Sequence, residues 1–186
     1  MHARNRLLAV PPLAALAFAV AHLGFETLNG GVQSHHLLNR PDLPAISNWL
    51  GLVILPLLGL IFGLRLAREA RAAGAAGIPA PILFGLCGAI LYGGMLATAF
   101  ELNASSITNA AFFGLFLCAA LLPIYRAEYL LGFVVGITLT FGAVLPLAIG
   151  AVFAVISFAV RYIIRCALAV FRKRRAPAAE QTGPSG

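Results

Sequence analysis

The stretch from Tyr129 to Phe171 reads YLLGFVVGITLTFGAVLPLAIGAVFAVISFAVRYIIRCALAVF, and the helix count of the whole chain turns on it. Forty-odd residues at about 1.5 Å of rise each are too many for one tilted helix in a hydrocarbon core about 30 Å thick. The run therefore divides near Gly142–Pro146, giving a fifth helix over about 129–143 and a sixth over about 146–166. Without that division the chain has five helices, the nearest alternative.

The rest of the sequence asks for the same solvent. Of 186 residues 61% are hydrophobic and 10% charged, with mean hydropathy +0.94. A soluble domain carries about a quarter charged residues, so this chain could not cover its surface in water. Four further apolar spans are predicted at about 7–25, 49–66, 81–100 and 110–125. Pro11 and Pro12 fall in the first turns of the first span, where proline costs least. Trp49 opens the second as an interfacial aromatic. The fold class is thus all-α, a polytopic membrane bundle forming a single domain over 1–175. Residues 26–48 form an extracytoplasmic loop, and 176–186 form a Pro/Ala/Gly/Ser tail expected to be disordered.

The net charge of +7 does not point to nucleic acid, because the basic residues sit at span ends and in the tail, where they meet anionic headgroups. With six spans, twelve of the thirteen basic residues fall on one side: Arg4, Arg6, Arg65, Arg68, Arg71, Arg126, Arg161, Arg165 and 172–175; Arg40 is the exception. The positive-inside rule makes that side the cytoplasm and places both termini there, in keeping with a bacterial inner membrane. The segment from Arg161 to Arg175 is expected to slide along the inner surface, with Arg161 and Arg165 snorkelling. Cys87, Cys118 and Cys166 stand singly, so neither a disulfide framework nor a cysteine zinc site is indicated. Small residues at Gly85, Ala89 and Gly93 in the third span, and at Gly132 and Gly136 in the fifth, form stripes suited to close helix packing within the chain.

The same topology gathers polar chemistry on the opposite face: His22, Glu26, His35, His36, Arg40, Asp42, Glu101, Asn103 and Asn109. His22 and Glu26 are four apart and project from one side of the first helix. Glu101 ends the third helix at a similar depth, and the loop bearing His35 and His36 follows directly behind Glu26. Mixed imidazole and carboxylate donors suit zinc, copper, iron or manganese. The predicted metal ligands are His22, Glu26, Glu101 and His35 or His36. An open coordination position would activate a water. Asp42 would take its proton, and Arg40 would hold an anionic group of a lipid or amphipathic substrate. The function expected is a metal-dependent hydrolase or transferase at the outer face. The competing reading is non-enzymatic: a metal-binding or small-solute transport protein, or an assembly partner of a membrane complex.

Plainer roles exist for each residue. Glu26 and Glu101 terminate helices, His35 and His36 are loop residues, and Asp42 caps a helix starting near Pro44. Asn103 and Asn109 serve as turn and cap residues. His22 resists such a role because it lies inside the apolar boundary. One processing alternative is also open: Ala19-Val-Ala21 resembles a signal-peptidase site, and cleavage there would leave His22 as an amino-terminal copper chelator. The span middles lack ionisable residues, which disfavours an ion-coupled carrier. With His22 the sole histidine on a span, a haem carrier is disfavoured as well.

Overall fold

The long apolar run breaks at Gly142, whose φ of 67° and ψ of −174° belong to a region that only glycine enters readily. The computed structural model describes residues 2–36, 45–74 and 78–175. Among these are six helices: α1 (His2–Leu28), α2 (Gly51–Ala72), α3 (Ala80–Glu101), α4 (Ser105–Leu121), α5 (Ala127–Phe141) and α6 (Val144–Arg175). Four segments are long and apolar enough to cross a membrane: Asn5–Leu28, Asn48–Ala72, Ala80–Glu101 and Val144–Phe171. Two shorter apolar helices, α4 and α5, accompany them. Between α1 and α2 lies an antiparallel pair, β1 (Ser34–His36) and β2 (Ala45–Ser47), in register Ser34↔Ser47 and His36↔Ala45.

Several expected boundaries shift. α1 begins at His2, so Pro11 and Pro12 lie in its interior and not in its first turns. The fourth helix ends at Leu121, which leaves Pro123 in the turn behind it. Among the described residues beyond Pro44, residues 45–47 are strand, and α2 is entered through a 3-10 turn, Asn48–Leu50, capped by the Ser47 hydroxyl. Asp42, considered for a capping role, lies outside the described residues. The basic C-terminal segment continues α6 without a break to Arg175. Its 32 residues span about 48 Å, well beyond a hydrocarbon core of about 30 Å.

Packing follows the logic of helices without a hydrophobic drive for association, in which small residues let backbones approach. α1 lies along α2, and α3 lies along α5; these are the most extensive helix pairs. In the second pair the two predicted stripes meet. A Cβ on Gly132 would stand 2.6 Å from the Leu86 carbonyl oxygen, and one on Gly93 would stand 2.8 Å from that of Phe133. In the first pair Gly59 and Gly63 press on α1: a Cβ on Gly63 would come within 2.9 Å of the Leu7 oxygen and 3.2 Å of the Leu8 oxygen. Those are the carbonyls that Pro11 and Pro12, lacking amide hydrogens, leave unbonded in the helix. A glycine Cα–H directed at them is a weak donor to an otherwise orphaned acceptor. Large apolar side chains point outward instead, among them Leu57, Ile61, Phe84, Leu91, Phe113 and Leu117. So many exposed large apolar side chains are rare on soluble monomers and fit a multi-span membrane protein.

The helices run alternately up and down, which gives the bundle two unlike ends. At one, Arg65 of α2 meets Glu128 of α5 with Nε–Oε2 at 3.1 Å, and Arg161 of α6 donates to the Leu121 carbonyl of α4 at 2.7 Å. This is the basic end. The other is the hairpin end, where α1 stops and β1–β2 lies.

Candidate functional site

The hairpin end is built from the last turns of α1. Gly30 (φ 119°) and Gly31 (φ 104°) reverse the chain there, and the Gly31 amide donates to the Glu26 carbonyl at 2.9 Å. The reversal brings the Gln33 amide to Glu26 Oε2 at 3.3 Å. One residue on, β1 begins and pairs with β2, and the Asn48 amide closes on the Gln33 carbonyl at 3.1 Å. Asn48 Nδ2 then donates to Glu26 Oε1 at 2.5 Å, and His22 Nε2 stands 3.5 Å from that same oxygen. Relative exposures of 6% for His22, 8% for Glu26 and 6% for Asn48 make this a buried polar cluster.

Burial gives those contacts their meaning. A carboxylate taken out of water is costly unless paired and hydrogen-bonded. Here each oxygen of Glu26 has a donor, with the imidazole at ion-pair distance. The cluster also reaches the α5–α6 turn: a Cβ on Gly142 would collide with the Asn48 side-chain oxygen. Glycine at 142 therefore both permits the turn and leaves room for Asn48. One side chain thus sits where α1, the hairpin, the start of α2 and the α5–α6 junction converge.

The predicted site residues divide accordingly. His22 and Glu26 are brought together. The strand containing His35 and His36 starts one residue beyond Gln33, although the side chains of both lie outside the described part of the structure, as do Arg40 and Asp42 entirely. Glu101 is exposed at the end of α3 and has no hydrogen bond or ion pair to the cluster among the described residues. Asn103 is exposed in the α3–α4 turn at φ 53°, and Asn109 lies within α4 beside an apolar cavity of about 260 Å³. Among the described residues no three His, Cys, Asp or Glu side chains lie close enough to hold a metal ion. The described donor set is the pair His22 and Glu26.

Two polar residues escaped the sequence reading. Asn48 closes the loop predicted over 26–48, and its only signal in the sequence is an amide directly before the interfacial Trp49. Glu128, between the fourth and fifth predicted spans, is 2% exposed and held by Arg65, which also lies 3.5 Å from Glu69. A carboxylate directly before the apolar run that opens at Tyr129 is a weak hint of such a partner. Comparison of the chain with protein-family models, with curated proteins and with solved structures returns no match.

Proposed function

We propose that the chain is a bacterial inner-membrane protein with six crossings, both termini in the cytoplasm and the hairpin end facing outward. At that end it carries a metal-dependent site of hydrolase or transferase type for a lipid or amphipathic substrate. α4 and α5 are short for crossings, at 17 and 15 residues. Local thinning of the bilayer accommodates such lengths at modest cost. The distribution of arginine supports the orientation.

The observation that carries the site is the burial of His22 with Glu26 at the end of an apolar helix. Ionisable groups in that position are rare and usually functional. A histidine whose ring is steadied by a carboxylate through one nitrogen offers the other to a metal, an arrangement common around catalytic ions. In this reading Glu26 orients His22, and His35 and His36 of β1 supply further nitrogen donors. Zinc, copper, iron and manganese all suit such a set. Such an ion would supply an activated water. Asp42 and Arg40 keep the proposed tasks of accepting a proton and holding an anionic group.

A second reading has its own observation. Both oxygens of Glu26 already receive donors, from Asn48 and Gln33, which is what a latch holding the hairpin to α1 requires. The protein is then a non-enzymatic binding or assembly protein whose outer hairpin is held in shape for a partner. Metal content separates the two. After a mild chelator wash and reloading, the metalloenzyme reading predicts close to one ion per chain, lost in His22→Ala and in a His35→Ala/His36→Ala double variant. Wild type that takes up none of the four metals contradicts it and favours the latch.

A further inference from the structure

A second, larger cavity of about 370 Å³ lies between α3, α4, α5 and α6, toward the basic end. That volume falls within the range of small-molecule sites. Its wall is nearly all apolar, and the Tyr92 hydroxyl within it already donates to the Ala111 carbonyl. Gly85, Gly88 and Gly150 line it; a Cβ on Gly88 would meet nothing within 4 Å, whereas one on Gly85 would stand 3.1 Å from the Glu128 side chain and one on Gly150 2.7 Å from that of Leu130. α4, which covers it, is lightly packed on α3 compared with the α3–α5 pair.

The charge lies just beyond the cavity. On α6, Gly150 and Phe153 line the wall, Ser157 donates to the Leu122 carbonyl at 2.8 Å, and Arg161 follows one turn later on that face. Leu122 and Ile124 line the cavity too, and Arg126 stands exposed two residues on. Arg161 bonds Leu121 through one terminal nitrogen, while its Nε is shielded from solvent and has no hydrogen-bond partner among the described residues. A partly exposed guanidinium that spends one terminal nitrogen on Leu121, beside an apolar slot, suits an oxyanion carrying a hydrocarbon chain. The smaller cavity toward the hairpin end has no cation beside it among the described residues, so the pairing of slot with charge belongs to the basic end.

We propose that this cavity holds an acyl chain of an anionic phospholipid from the leaflet at the basic end, with its phosphate set against Arg161 and Arg126. The proposal rests on the membrane reading and is independent of the His22–Glu26 site. Glycine at 88 keeps the slot open, and Arg161 selects the charge of the head.

Native mass spectrometry of the full chain in detergent tests it, with phosphatidylglycerol and phosphatidylcholine of equal chain length as probes. Wild type is expected to retain phosphatidylglycerol about tenfold more tightly, the scale of one charge-assisted contact. Gly88→Phe places a ring in the slot and is expected to weaken both lipids about tenfold. Arg161→Gln is expected to cut the preference to what Arg126 alone supplies while keeping phosphatidylcholine binding, and it needs no change in the cavity wall. Equal retention of both lipids by wild type overturns the proposal. So does an unaltered preference in Arg161→Gln, or undiminished binding in a folded Gly88→Phe. A chain that stays monodisperse without detergent overturns the membrane reading as well, which distinguishes the two failures.

Discussion

Asn48 and Gly142 show how much of the hairpin end depends on single atoms. Asn48 gives Glu26 one of its two described donors, so Asn48→Ala leaves a buried carboxylate short of a partner. It should cost about 1–3 kcal/mol in thermal unfolding of the detergent-solubilised protein. Gly142→Ala is predicted to cost at least as much. Its backbone conformation is strained for any side chain by about 1–3 kcal/mol, and the new methyl would displace the Asn48 oxygen. Combining the two substitutions should cost less than their sum, because each disturbs the same contact. Strict additivity would mean that Asn48 and Gly142 do not share the geometry described.

At the scale of helices, the basic end is held by one ion pair between the α1–α2 and α3–α5 pairs. Removing one partner of a buried pair leaves an uncompensated charge, whereas replacing both is often neutral. Arg65→Met is therefore predicted to destabilise by about 3 kcal/mol, and Arg65→Met with Glu128→Leu to recover most of it. A double variant no better than the single one would show that the pair does more than join helices. Much at this scale was legible in advance. Gly142 and Pro146 marked the break between α5 and α6, and the Gly85–Gly93 and Gly132–Gly136 stripes marked faces that pack closely. Gly59 and Gly63 have that same four-residue spacing and could have been read likewise. The choice of neighbours was not legible, because each apolar helix offers several faces of similar chemistry and sequence pattern does not rank them. That is why His22 and Glu26, fixed on one helix, were found together, while Glu101 on another lies exposed. Asn48 reaches Glu26 across 22 residues of chain, a pairing that no local periodicity encodes.

In the whole molecule, the six apolar helices among the described residues run between two unlike ends, one basic and one carrying a buried histidine–carboxylate cluster. The proposed outer-face site requires the hairpin end to face away from the cytoplasm. Cysteine labelling in intact cells tests this most directly, in a background with Cys87 and Cys118 replaced by alanine. The reporters are Asn29→Cys and Asn103→Cys at the hairpin end, each with Cys166 also replaced, and native Cys166 alone near the basic end. A membrane-impermeant maleimide is expected to reach positions 29 and 103 without permeabilisation and position 166 only after it. Labelling of Cys166 from outside, or opposite behaviour of positions 29 and 103, would contradict the six-crossing arrangement and the outward site built on it.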